Sequence, residues 1–337
     1  MTPPEADFRK SDKRRQVFGA TLDATNWIAP VKTIFRSVTL AAAVFAGAAA
    51  FSPALLAQEK AVAHVQGETT LPGVPAKVLV QDWAVFDDLS ALGVSVAGVP
   101  SSNAPAYLAD QIPADAIQIG SLFEPDFESI AAAEADVYFI ASRSREAFGT
   151  AKDILPTIDL TVDNGSILEG VEKNMTTLGE IFGLEDKASE LNAALDAKVA
   201  EVAAAAEGKG NALVIVTNAG KLGVYGPDSR VSWVYNEIGM PSALEGVRDG
   251  DHGGDAVSFE FLLEVNPDWV FVVDRDAGTG ENAGAAAALL DNELFNQTTA
   301  AQEGQIVYLD PQASYITMHG YQGVMLLLDQ VLEGLNG

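Results

Sequence analysis

One stretch of this chain occurs twice. Residues 126–143 read DFESIAAAEADVYFIASR and residues 258–275 read SFEFLLEVNPDWVFVVDR, aligning without a gap at an offset of 132. Phe127 matches Phe259, Glu128 matches Glu260, Asp136 matches Asp268, Phe139 matches Phe271 and Arg143 matches Arg275. Each copy opens on an N-cap residue type, Asp126 or Ser258, and then sets apolar residues at i, i+3 and i+4, the period of a short amphipathic helix. An Asp and a continuous apolar run follow, with the length of a strand buried on both faces of a parallel sheet. Two copies at so long a period imply two similar lobes rather than a solenoid. The expected fold class is α/β, with two Rossmann-like lobes built on parallel sheets and a ligand cleft between them.

The rest of the chain fits that frame. From Lys77 the pattern reads strand, loop, strand (KVLVQDWA, then LGVSVAGVP), and TIDLTV at Thr157–Val162 reads as the last strand of the first lobe. Ile167, Leu168, Val171, Met175, Leu178, Ile181 and Phe182 keep helical spacing until Gly183, which predicts a single long connecting helix over 166–183. A second helix carries Leu191, Leu195, Val199 and Val202, and the second lobe opens with NALVIVTN and a hairpin through LGVYG. The expected boundaries are 58–165 for the first lobe and 184–337 for the second.

Residues 1–57 differ in character. An uncharged run, Val38–Phe51, follows Lys32 and Arg36, and Ala57 precedes Gln58 as a cleavage point. This is the layout of a secretory signal peptide, and the run is shorter than the ~20 residues a membrane span requires. Residues 1–30 precede a sufficient signal and read as an over-long start. With no cysteine there is no disulfide framework, thiolate metal site or lipid-modified cysteine, so a soluble periplasmic protein is expected. Residues 1–57 hold seven of the 20 Lys and Arg and four of the 47 Asp and Glu, so the mature chain carries a formal charge near −30. Such a surface excludes nucleic acid and anionic lipid as partners.

Three motifs compete for a function. Gly278, Gly280 and Ala283 in GTGENA follow a strand and precede a helix, as in a dinucleotide-binding turn, but too little chain remains to complete that fold, and an NAD-linked dehydrogenase is the disfavoured enzyme alternative. Asp249, Asp251, Gly254 and Glu260 approximate a calcium loop, with Gly253 where an oxygen ligand is wanted. The third is the pair Arg143 and Arg275, at the carboxyl ends of equivalent strands, where open parallel sheets bind ligands; Arg230, in the turn GPDSR, is a third candidate. Converging guanidinium groups suit a multiply anionic ligand. His252, in the loop DGDHGGD, and Tyr315, in YLDPQASY, offer ligands for a metal, a phenolate oxygen suiting ferric iron. His64 and His319 are scattered and form no histidine-rich metal site.

LFEPDFESI, HGGDAVSFEFLLEVNPDWVFVVDR and IVYLDPQASY resemble the periplasmic substrate-binding proteins of ABC importers for iron siderophores, in particular the branch that takes catecholate complexes. The resemblance runs over about residues 77–335 and implies a non-enzymatic carrier with no permanently bound cofactor, a monomer that presents its ligand to the importer's permease subunits. It implies that Arg143, Arg230 and Arg275 grip the ferric siderophore. It further implies that His252 and Tyr315 complete the iron coordination, and that Glu128 and Glu260 dock on the permease. Ala313 and Ser314 stand where bulkier aromatic residues are expected. A haem or cobalamin carrier of the same fold is the alternative.

Overall fold

The computed structural model describes residues 59–247, 254–281 and 284–337. The expected leader, His252 and the aspartates of the calcium-like loop lie outside them. The described chain opens on a hairpin of β1 (Lys60–His64) and β2 (Gly67–Leu71) that packs on the edge of the first sheet, with Thr69 Oγ1 donating to Thr157 O at 2.7 Å. That sheet comprises β3 (Val78–Val80), β4 (Gly98–Val99), β5 (Ile117–Gln118), β6 (Val137–Ile140) and β7 (Thr157–Asp159), all parallel, in the order β5-β4-β3-β6-β7. Around it lie α1 (Trp83–Leu92), α2 (Phe127–Ala132) and α3 (Phe148–Ala151).

The chain then runs through α4 (Ile167–Phe182), which stops at left-handed Gly183 where the periodicity ends, and through the longer α5 (Glu185–Ala206). The second sheet holds β8 (Ala212–Asn218), β9 (Lys221–Tyr225), β10 (Asp255–Val257), β11 (Trp269–Asp274) and β12 (Ile306–Tyr308), in the order β10-β9-β8-β11-β12. Strands β8, β11 and β12 are parallel, whereas β9 and β10 add an antiparallel edge. The edge follows from the turn Ala219-Gly220, whose two positive φ values of 49° and 73° make the two-residue hairpin that suits twisted strands. Its helices are α6 (Trp233–Asn236), α7 (Phe259–Val265), α8 (Arg275–Gly278), α9 (Ala285–Leu290), α10 (Thr299–Glu303), α11 (Pro311–Tyr315) and α12 (Tyr321–Asn336).

Strand alternation explains the layers. Val78, Val80, Val137 and Phe139 from one sheet and Val214, Val216, Phe271 and Val273 from the other belong to one continuous core with α1, α4, α5 and α12. The opposite faces bury Leu79, Tyr138 and Ile140, and Leu213, Ile215, Val270 and Val272, in separate clusters. The repeat is structural throughout. Asp136 Oδ2 accepts the N–H groups of Ala76 and Lys77 at 2.8 and 2.7 Å, and Asp268 Oδ2 accepts that of Asn211 at 2.9 Å. In each case the carboxylate pins the start of the strand paired with its own.

Helix α1 departs from the strand, loop, strand expectation. Asp82 caps it, accepting from Ala84 N at 2.8 Å, and eight of its ten residues are buried, so the one-sided pattern that betrays a surface helix is missing. Asp87 and Asp88 are among the buried residues, because they face the first turn of α12. Asp88 Oδ1 accepts from Tyr321 N at 2.8 Å, and the two Asp87 oxygens accept from Gln322 N at 2.7 Å and Gly323 N at 2.9 Å. Tyr107 completes the junction, donating to Asp87 Oδ2 at 2.7 Å and lying 2.6 Å from Thr317 Oγ1. A Cβ on Gly323 would stand 2.6 Å from the Tyr107 hydroxyl oxygen and 2.9 Å from Thr317 Oγ1. Gly323→Ala therefore costs about 2 kcal/mol by overpacking, read as a lowered unfolding midpoint, while Gly149→Ala, with open space around it, leaves the midpoint in place.

Candidate functional site

Each repeat delivers its arginine at a strand's carboxyl end. Arg143 lies in a short 3-10 helix, Ser142–Ala147, directly after β6, and Arg275 is the first residue of α8, directly after β11. Arg230 comes from the turn between β9 and α6 and is only 5% exposed. All three converge on Tyr315, the last residue of α11. Their guanidinium carbons lie 5.5, 5.0 and 5.5 Å from the centre of its ring for Arg143, Arg230 and Arg275. The π face of a tyrosine is a favourable seat for a cation, and here one ring serves three.

Hydrogen bonds fix each guanidinium. Arg143 reaches across from the first sheet and donates to the main-chain carbonyls of Tyr315 at 2.6 Å and Ile316 at 3.1 Å. Arg275 Nε donates to the Tyr315 hydroxyl at 3.0 Å, and its Nη1 donates to Asn218 Oδ1 at 3.1 Å with Asp276 at 3.5 Å. Arg230 lies against a second ring, Tyr225, at 5.8 Å, and its Nη1 meets Met318 Sδ at 3.5 Å. Burial lowers the Arg143 pKa from its ordinary value, Asp82 opposes the shift, and the Arg230 charge adds to it; an arginine stays protonated through such a shift. Burial pushes the Tyr225 phenol up to about 12 against the pull of Arg230, so it faces the arginines as a neutral hydroxyl. The outcome is a concentrated, partly desolvated positive centre in a chain with a formal net charge of −27.

Tyr315 thus sits at the centre of the arginines, with its hydroxyl held by Arg275. Ala313 and Ser314 are fully buried, and Gly278 comes so near Pro311 that a Cβ would lie 2.5 Å from its carbonyl oxygen. Small residues at 278, 313 and 314 let α11 lie against α8, which gives the first glycine of GTGENA a packing role. Glu128 and Glu260 are exposed in the first turns of α2 and α7. The Glu260 carboxyl is held below its usual range by its own main-chain N–H and by Ser258. The sequence reading did not find Asn218, Tyr225 or Asp82. Asn218 closes a strand beside β11, so the strand-end rule that found the arginines reaches it too.

Residues 78–313 match the model of the family described as "Periplasmic binding protein". The petrobactin-binding protein YclQ of Bacillus subtilis is 33% identical over 270 residues, covering 79% of this chain and 84% of that protein. The chain belongs to the periplasmic binding protein family. Among solved members, the TroA-like protein of Xylanimonas cellulosilytica is 37% identical, with a TM-score of 0.75 and coverage of 80% of this chain and 92% of the other. The catecholate-siderophore binding protein VctP of Vibrio cholerae is 28% identical, with a TM-score of 0.77 over 81% of this chain and 99% of its own. Members of this family are transport proteins, and the two-sheet α/β architecture is shared with them. Among the described residues no helix is long and apolar enough to cross a membrane.

Proposed function

We propose that this protein is an exported, monomeric carrier that captures an anionic ferric catecholate siderophore between its two sheets and delivers it to the permease of an ABC importer. The observation that carries the reading is the set of three guanidinium groups gathered on one tyrosine ring in a strongly acidic protein. A compact cluster of fixed cations with planar donors suits a rigid complex bearing several negative charges. The named ligands of relatives support the choice: petrobactin for the Bacillus subtilis protein and a catecholate siderophore for the Vibrio cholerae protein. Arg143, Arg230 and Arg275 hold the complex, while His252 and Tyr315 supply iron ligands when the siderophore leaves coordination positions open. The lobes are residues 58–165 and 184–337, with 166–183 between them, and Glu128 and Glu260 meet the permease, one from each lobe.

Tryptophan fluorescence of the mature chain tests this directly. Trp83 follows Asp82, whose charge acts on Arg143, and Trp233 lies three residues beyond Arg230. A titration with ferric bis-catecholate is expected to quench saturably, and parallel titrations with ferric hydroxamate, haemin and cobalamin to do so weakly. A preference for haemin or cobalamin would replace the siderophore with another ligand, and silence with all four would refute the site.

A further inference from the structure

Arg143 is preceded by a residue in an unusual conformation. Ser142 has a φ of 45°, in the left-handed region where a side chain other than glycine's costs on the order of 1 kcal/mol. Two hydrogen bonds hold it there. Its main-chain N–H donates to Thr161 Oγ1 at 2.8 Å, and its hydroxyl lies 2.9 Å from His319 Nε2. His319 comes from the connection between α11 and α12, the same short segment whose Tyr315 and Ile316 carbonyls receive the Arg143 guanidinium. One five-residue stretch therefore grips both Arg143 and the residue that aims it.

His319 is a poor filler for a core. It is 1% exposed, and its Nδ1 has no hydrogen-bond partner among the described residues. A buried polar atom left in that condition costs about 1–3 kcal/mol, which an apolar residue of similar size would avoid. The charged groups acting on it are Asp82 at the cap of α1, Arg143 beyond β6 and Arg230 beyond β9. Burial lowers its pKa, so the imidazole beside the two arginines is neutral at neutral pH. It therefore bonds Ser142 without adding a competing cation.

We infer that His319 is a positioning residue for ligand capture: through Ser142 it fixes the backbone from which Arg143 reaches over Tyr315. The inference rests on Arg143 being a ligand-binding residue, and it adds to the anion site a supporting contact made from the segment between α11 and α12. A double-mutant cycle tests it, with ferric bis-catecholate as probe and the full mature chain throughout. His319→Ala and Ser142→Ala, which remove the same bond from its two ends, are each expected to weaken binding about tenfold. His319→Gln, which can place an amide near the Nε2 position, is expected to recover to within about threefold of the natural chain. In an Arg143→Ala background, His319→Ala is expected to add less than twofold. A full tenfold loss in that background, or equal losses for the alanine and glutamine variants, would make His319 a packing residue and overturn the inference. Unchanged binding by Ser142→Ala would do the same without requiring the histidine variant to fold. An Arg143→Ala chain that binds normally would instead overturn the reading of the site itself.

Discussion

Arg143→Ala is expected to weaken the binding of a ferric catecholate by about a hundredfold or more, while a neutral ferric hydroxamate loses only a few-fold. A hydrogen bond to a charged partner contributes about 1.5–3 kcal/mol, and losing two of them accounts for such a factor. The selectivity arises because the removed group is a charge in a partly desolvated site, where its attraction for an anion is stronger than at the surface. For the same reason the effect should persist at moderate salt, unlike the screening-sensitive contribution of an exposed lysine. Arg143 also ties the carbonyls of Tyr315 and Ile316 to the first sheet, so unfolding midpoints belong beside the affinities. Equal losses for the charged and neutral complexes would show that the variant had merely loosened the cleft.

The second large effect is on stability against pH. Asp87 is fully buried, and desolvation pushes its pKa up to about 6 although the N–H groups of Gln322 and Gly323 and the Tyr107 hydroxyl pull it down. Asp88 lies well above the carboxylate range, chiefly by burial and then by the Asp87 charge beside it. A pKa raised on folding gives stability that is fully present below the unfolded value, near 4, and is lost as pH rises through the folded one. For Asp87 alone the difference between pH 4 and pH 7 is on the order of 3 kcal/mol. His319 acts in the opposite sense. Burial holds it neutral, so its contribution is present above about 6.5 and declines as pH falls below that value. Asp88→Asn separates the two, because it keeps an oxygen for Tyr321 N and removes the charge. The ligand-free variant is expected to melt several degrees higher than the natural chain at pH 7.5 and to show a smaller gain on acidification to pH 4.5. Equal destabilisation at both pH values would place the pH dependence elsewhere.

Much of this architecture is legible in the sequence because it is local. The repeat, its N-caps, its buried strands and its closing arginines follow from periodicity within about twenty residues, and the Asp136 and Asp268 matches mark carboxylates that pin neighbouring strands. Helix α4 ends at Gly183, where its apolar spacing stops. Helix α1 was not legible, since burial of Asp87 and Asp88 against a helix more than two hundred residues later erases the amphipathic pattern. Arg143 and Arg275 could be nominated from strand ends, and Arg230 from the turn GPDSR. Their meeting on Tyr315 could not, because residues 143, 230, 275 and 315 share no local pattern. His319, read only as one of a scattered set, gains its role from Ser142, a partner 177 residues away.

The seating of α12 on α1 also bears on how such a chain reaches its native state. The carboxylates of the first helix find their donors only when Tyr321, Gln322 and Gly323 arrive, so the shared core closes through contacts between distant ends of the polypeptide. Closures of this kind are slow, because loop entropy is lost before any bond rewards it. A fragment carrying the first sheet alone would leave two buried-type carboxylates and the apolar face of α1 in water. The two halves, alike in pattern, are therefore not separable modules: neither can finish folding until nearly the whole polypeptide is present.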